Sequence, residues 1–153
     1  MTELIKVDEK RYAEPIILDN NIILPGQEET VRLSAGRLPS DNRLYIYAHV
    51  YRSVNPGPTV LMMGGVHGDE INGVMVARNM IEEKVFEKLN RGTVISVPLL
   101  NVFGFINFSR EVPDGKDINR SFPGTMAGSL AARVARTLTK KLLKISNKNL
   151  IYN

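Results

Sequence analysis

The chain has 153 residues, of which 43% are hydrophobic and 24% charged, and its formal net charge is +4. This size and composition are typical of one globular domain, and no apolar run approaches the roughly 20 residues that cross a membrane. The absence of cysteine excludes disulfides and thiolate metal sites and is typical of a cytoplasmic protein, and the N-terminus lacks the apolar segment of a signal peptide.

The positive charge is concentrated at the C-terminal end. From Lys140 onward the chain has four lysines and no acidic residue, so the remaining 16 basic residues balance the 16 acidic ones. A nucleic-acid-binding face needs basic residues spread over a folded surface, and this distribution argues against nucleic acid as a partner. We predict a solvated basic tail over about residues 140–153.

The first third of the chain is predicted to form short strands and a β-hairpin. Residues 1–28 give a weak strand signal, and two β-rich runs within residues 30–53 flank the turn formers of "LPSDN". In the second run, apolar residues alternate with tyrosines and His49, which places His49 on a half-exposed, aromatic face of a strand. We interpret His49 as a surface histidine rather than as a metal ligand.

The next segment is predicted to form two buried strands joined by a helix. "TVLMM" and, later, "RGTVISVPLLN" are the short apolar runs that are typical of buried strands. Between them, helical spacing predicts an amphipathic helix. Its inward stripe is predicted to be Ile71, Val74, Met75, Ile81 and Val85.

A loop and a final helix complete the predicted fold. Ser129 is a suitable N-cap for a helix that begins after it. Its inward face is predicted to be Ala131, Val134, Ala135, Leu138 and Leu142. The order strand, helix, strand, loop, helix predicts a single α/β domain with a right-handed crossover. We expect a β extension over about residues 1–55, an α/β core over about 56–145, and the basic tail.

The turn "GGVHGDE", residues 64–70, is a candidate metal site. Ligands collect beyond the carboxyl ends of strands in open α/β sheets, and this turn lies there. Because His67 and Glu70 are three residues apart, a turn or a first helical turn points both to one side. Imidazole and carboxylate are standard Zn²⁺ ligands.

Two alternatives to a metal site are a chance His-x-x-Glu spacing and a phosphate-binding turn. No Lys-Ser/Thr follows the glycines and no Gly-x-Gly-x-x-Gly is present, while Asp69 and Glu70 would repel a phosphate. The residues alone leave metal binding and coincidence open.

The loop "SREVPDGKDINRSFPG" is a second candidate site. It contains Arg110 and the pair Asn119-Arg120. A guanidinium can bind a carboxylate through two parallel hydrogen bonds, and a neighbouring amide can fix its orientation. An arginine near a metal can also stabilise an oxyanion. The alternative interpretation is two surface arginines.

Three segments, "GPTVLMMGGVHGDEINGVMVAR", "GTVISVPLLNVFGFINFSR" and "DGKDINRSFPG", resemble the succinylglutamate desuccinylase/aspartoacylase family in order and spacing. That family is related to the zinc carboxypeptidases, and the resemblance covers about residues 30–138. It implies a zinc-carboxypeptidase-like, doubly wound mixed sheet with an N-terminal β-hairpin extension. It also implies that His67 and Glu70 bind Zn²⁺, that Arg110 assists the oxyanion, and that Asn119 and Arg120 bind the substrate carboxylate.

The implied reaction is zinc-dependent hydrolysis of the amide bond of a small N-acyl amino acid, with a glutamate as general base. The family pattern also requires an Asp-x-His ligand on the strand after the helix at Ser129 and a much later glutamate, and this sequence contains neither. The chain ends about where that strand should start. We therefore expect the N-terminal part of a longer enzyme, ended by a frameshift, a premature stop or the design of the expressed sequence.

Such an incomplete chain is expected to bind zinc weakly, to be inactive and to self-associate through an exposed sheet edge. Two alternative functions remain. One is a carboxypeptidase-like peptidase or esterase that uses the same residues. The other is a non-catalytic, carboxylate-binding domain. Measurement of the metal content would distinguish this domain from the enzyme.

Overall fold

The structure is a computed structural model that describes residues 8–38, 40–146 and 148–152, the last range by its backbone alone. The helices are α1 Glu9–Ala13, α2 Ile71–Glu82, α3 Val102–Asn107 and α4 Leu130–Thr137. The strands are β1 Ile16–Leu18, β2 Asn21–Ile23, β3 Glu28–Arg37, β4 Arg43–Arg52, β5 Thr59–Gly64, β6 Thr93–Val97 and β7 Lys148–Tyr152. Short 3₁₀ segments cover Val85–Lys88 and Asn119–Ser121, and a π-helical segment, Leu138–Leu143, continues α4. Within the described ranges, no helix has the length and apolar character needed to cross a membrane.

The main sheet is mixed and has the strand order β3-β4-β6-β5-β7. β4 pairs antiparallel with both β3 and β6, whereas β5 runs parallel to β6 and β7. β1 and β2 form a separate two-stranded hairpin. This arrangement confirms the predicted α/β class with a mixed sheet and an N-terminal β-hairpin.

The predicted hairpin is formed by β3 and β4, with Arg37 opposite Arg43. The predicted turn lies between these residues, and its Pro39 lies outside the described residues. Ile46, Ala48 and Val50 of β4 are buried. His49 is half-buried on the opposite face, as predicted, and its Nδ1 lies 3.0 Å from Thr30 Oγ1.

The predicted inward stripe of α2 is wrong in part. Val74 is buried and Ile81 is partly buried, but three other members of the stripe are exposed, namely Ile71, Met75 and Val85. The buried face instead consists of Gly73, Val74 and Ala77. A Cβ atom on Gly64 would lie 2.7 Å from the carbonyl oxygen of Gly73. Because α2 approaches β5 this closely, small residues form the contact and the larger side chains lie outside it.

The final helix forms as predicted. Ser129 accepts a hydrogen bond from the Ala132 backbone N–H at 3.2 Å and caps α4. All five residues of the predicted inward face are buried, namely Ala131, Val134, Ala135, Leu138 and Leu142. α4 packs against β3 and so covers one face of the sheet.

The predicted solvated tail is wrong. Residues 148–152 form β7, which pairs parallel with β5. Leu142 is fully buried, and the Lys141 ammonium pairs with Asp19. The next strand after the helix therefore lies within this sequence, contrary to the expectation that the chain ends before it, and it contains neither Asp nor His. Pairing with β7 provides hydrogen-bond partners for backbone N–H and C=O groups of β5 that would otherwise lie unpaired at the edge of the sheet. The prediction of a solvated tail rests on charge composition, which contains no information on this pairing.

A buried arginine of β4 binds the N-terminal residues through hydrogen bonds. Arg52 donates from Nη2 to the Tyr12 carbonyl and from Nη1 to the Ile23 carbonyl, both at 2.6 Å. Its guanidinium also lies over the Tyr12 ring, 4.9 Å from the centroid. Burial lowers the pKa of Arg52. Because backbone carbonyls bind this cation, we assign the open pocket of about 330 Å³ beside it to the packing of the N-terminal segment.

Candidate functional site

The turn after β5 is held in place by close backbone contacts. Gly65 has a φ of +58°, a left-handed conformation that favours glycine. A Cβ atom on Gly68 would lie 1.7 Å from the carbonyl carbon of Gly104, so the turn packs directly on α3. The Gly68 N–H also donates to the Ser109 carbonyl at 2.9 Å. These contacts position His67 between the end of β5 and the segment that follows α3.

His67 and Glu70 point to the same side of this turn. His67 is only 5% exposed, and its Nδ1 lies 2.7 Å from Glu70 Oε1. The other oxygen of Glu70 accepts from the His67 backbone N–H at 3.3 Å. Glu70 occupies the N-cap position of α2. The structure thus brings together the two residues that are predicted to bind a metal.

The second ring nitrogen of His67 faces residues from the later loop. Nε2 lies 3.1 Å from Asp117 Oδ1 and 3.3 Å from Arg110 Nη2. Residues 110 and 117 come from the two ends of one loop, which an isolated bridge between Glu111 and Asp117 closes. His67 is therefore contacted on both nitrogens by charged side chains.

Asp117 remains ionised in this setting. Burial acts to raise its pKa, but the Asn119 backbone N–H at 2.8 Å, the His67 ring and Arg110 together hold the pKa of Asp117 below its ordinary value. An ionised carboxylate accepts hydrogen bonds and donates none. Asp117 is thus suited to accept from an Nε2–H of His67 and to fix the orientation of the ring.

The chemistry of His67 and Glu70 fits a metal ion. A neutral histidine carries one N–H, and an Nε2–H that faces Asp117 leaves the Nδ1 lone pair facing Glu70 Oε1 at 2.7 Å. Two acceptors this close need a proton or a cation between them. Zn²⁺ would use the same two atoms as ligands, so the donor set fits. Over the ranges that the structure describes, there is no group of three or more His, Cys, Asp or Glu side chains that could hold a metal ion.

The loop beside His67 forms an open pocket of about 450 Å³. Its lining includes three basic residues, Arg110, Lys116 and Arg120, and two acidic residues, Glu111 and Asp117, the second of which contacts His67. The Arg120 side chain is 88% exposed, with its Nε 3.8 Å from Asp117 Oδ2. This arrangement is suited to bind a carboxylate next to the histidine.

The predicted site residues are placed to different degrees. His67, Glu70 and Arg110 are brought together by direct contacts, whereas Arg120, as far as the described residues show, reaches the cluster through Asp117. Asn119 is exposed and contacts Asp117 through its backbone. The sequence alone assigns no role to Asp117. Its position two residues before the Asn119-Arg120 pair is the signal that could have identified it. The chemical roles of all five predicted residues stay predictions.

Comparison with known proteins gives a consistent result. The sequence model of the succinylglutamate desuccinylase/aspartoacylase catalytic domain matches residues 56–151. An N-alpha-acetyl-L-2,4-diaminobutyric acid deacetylase from Halomonas elongata is 37% identical over 92 residues, which are 60% of this chain and 27% of that protein.

Solved structures show the same likeness. An aspartoacylase family protein from Mesorhizobium loti has a TM-score of 0.76 and 30% identity, over 90% of this chain and 43% of its own. A succinylglutamate desuccinylase/aspartoacylase from Rhodobacter sphaeroides has a TM-score of 0.75 and 30% identity, over 89% of this chain and 42% of its own. The chain therefore spans about a quarter of the matched deacetylase and less than half of these structures.

Proposed function

Because the chain belongs to the succinylglutamate desuccinylase/aspartoacylase family, we propose that it forms the zinc-binding turn and the substrate-binding loop of a deacylase. The reaction is hydrolysis of the amide bond of an N-acyl amino acid. The observation that carries this proposal is the pair His67 Nδ1 and Glu70 Oε1, 2.7 Å apart and largely buried. The name of the Halomonas elongata deacetylase supports the same class of substrate.

In this proposal His67 and Glu70 hold Zn²⁺, and Asp117 keeps the His67 ring oriented through Nε2. Bound zinc would supply Lewis acidity and a water whose pKa is about 7. Catalytic zinc sites normally use three protein ligands. With two ligands among the described residues, we expect the zinc affinity of this chain to be lower than that of a three-ligand site.

The arginines act on the substrate. Arg110 lies beside His67 Nε2 with more than half of its side chain exposed, so its guanidinium can turn toward a carbonyl oxygen and stabilise the negative charge that develops there. The Arg120 side chain is exposed beside Asp117 and can bind the substrate carboxylate, and Asn119 next to it can orient that group. We assign no residue of this chain as the general base. The cytoplasmic location that the sequence suggests stays a prediction.

Metal binding is the first test, and the chain contains its own control. The chain has only two histidines, so His67→Ala and His49→Ala form a matched pair of variants. We expect zinc titration calorimetry to show one site in the wild type and in His49→Ala, and none in His67→Ala. Equal zinc binding by both variants would reject the metal site.

Ligand binding tests the substrate class. N-acetyl amino acids and their C-terminal amides differ only in the carboxylate, and we expect the zinc-loaded chain to bind the acids more tightly. Arg120→Gln should remove this difference, because the guanidinium is proposed to bind the carboxylate. Cleavage or tighter binding of peptides or esters, without a preference for N-acyl amino acids, would replace the deacylase proposal with a peptidase or esterase.

A further inference from the structure

A buried asparagine joins the three segments that build the candidate site. Asn101 follows β6 and is 2% exposed. Its backbone N–H donates to the Gly65 carbonyl at 2.9 Å, in the turn that leads to His67. Its side-chain oxygen accepts from the Gly104 N–H at 2.9 Å and caps α3. Its Nδ2 donates to the carbonyls of Arg110 at 3.2 Å and Glu111 at 3.4 Å.

The chemistry of this position requires an amide. One end of the side chain meets an N–H and therefore must accept, while the other end meets two carbonyl oxygens and therefore must donate. Asparagine provides an acceptor and a donor on two separate atoms at the end of one short side chain. Aspartate keeps the acceptor that caps α3 but places a second acceptor against the two carbonyls.

We propose that Asn101 is a positioning residue that sets Arg110 against His67. Its two donor bonds hold the backbone at the residue that carries the guanidinium, and its own backbone holds the turn that carries the imidazole. The 3.3 Å contact between Arg110 Nη2 and His67 Nε2 therefore depends on Asn101, although Asn101 bonds neither the guanidinium nor the imidazole. The catalytic meaning of that contact rests on the proposed function, but the contact itself can be measured without it.

The backbone around Asn101 is closely packed. Gly104 lies so close that a Cβ atom there would be 2.4 Å from Asn101 Nδ2 and 2.5 Å from the Ser109 carbonyl oxygen. The Ser109 N–H donates to the Gly104 carbonyl, and the Ser109 carbonyl accepts from Gly68. The turn, α3 and the start of the Arg110 loop thus share one buried network, in which the Asn101 side chain bonds α3 and the loop and the Asn101 backbone N–H bonds the turn.

The test measures the His67 ring in the metal-free chain by ¹⁵N NMR. His49→Gln removes the other histidine signal and assigns the Nε2 resonance of His67. Asn101→Asp is expected to keep α3 capped and the chain folded, and to shift the Nε2 resonance in the same direction as Arg110→Gln. In the Arg110→Gln background, Asn101→Asp should add no further shift, because the effect passes through Arg110.

Asn107→Asp is the matched control, because Asn107 is exposed and its Nδ2 also donates to a carbonyl, that of Phe103. It should leave the resonance unchanged. The proposal would be overturned if folded Asn101→Asp left the His67 Nε2 resonance unchanged. It would also be overturned if Asn101→Asp caused the same shift in the wild-type chain and in the Arg110→Gln chain. If Asn101→Asp does not fold, Asn101→Ser, which retains a capping hydroxyl, replaces it. Its Nε2 shift is then compared with and without Arg110→Gln, with the same criteria. Failure of zinc binding in the wild type would refute the proposed function and leave this result standing.

Discussion

Replacing Gly68 with alanine directly tests how the candidate site is built. A Cβ atom at this position would lie 1.7 Å from the carbonyl carbon of Gly104 and 2.0 Å from the backbone nitrogen of Phe105. Both contacts are backbone atoms of α3, so no side chain can rotate away to make room. The φ of Gly68 is not positive, so the need for glycine here is one of space. The turn and α3 must therefore separate.

The geometry sets the size of the effect. Restoring an ordinary contact of 3.4 Å requires a separation that breaks the 2.9 Å hydrogen bond from the Gly68 N–H to the Ser109 carbonyl. Overpacking costs about 1–3 kcal/mol and the lost hydrogen bond about 1 kcal/mol. We expect the free energy of unfolding to fall by about 2–4 kcal/mol, which corresponds to a lowering of Tm by roughly 4–16 °C for a chain of this length.

Urea unfolding followed by circular dichroism measures this change, with Gly115→Ala as control. Gly115 has a φ of +71° and open space at its Cβ position, so alanine there adds only backbone strain. That strain is about 1–2 kcal/mol. A loss for Gly68→Ala equal to or smaller than that for Gly115→Ala would refute the close packing of the turn on α3.

Four further outcomes are expected. Zinc affinity should fall over a descending pH series, because a proton competes for His67 Nδ1, and a pH-independent affinity measured by calorimetry would place the metal elsewhere. Asp117→Asn should weaken zinc binding about 10–100-fold in the same assay, whereas Asp69→Asn at an exposed acid should not. Burial lowers the pKa of His49, so the unfolding free energy should decrease as pH falls below about 6.5 toward the lower folded-state value. His49→Gln should flatten that part of the urea-unfolding profile, and an unchanged slope would contradict the assignment. Sedimentation should show self-association through the outer strands of the sheet, which a monomer at all concentrations would exclude.

Much of the local structure could be predicted from the sequence because it depends on neighbouring residues. The alternation along residues 43–52 predicts the strand that places His49 on the open face, and Ser129 marks the start of α4. The spacing of His67 and Glu70 within a glycine-rich turn predicts that their side chains approach each other, as they do. Each of these three features is determined by short-range geometry among residues of one short segment.

The tertiary structure decided the features that depend on distance between remote segments. Periodicity indicates that α2 has a buried face, but only its close approach to β5 selects Gly73 and Ala77 over Met75. Composition favours a solvated tail, yet the open edge of β5 pairs with β7. Asp117 meets His67 across 50 positions of sequence, and Asn101 bonds two segments at once. The sequence by itself determined which residues can accept, donate or bind a metal, and the fold decided which of them meet, because hydrogen bonds and steric contacts act over a few ångströms of space and not along the chain.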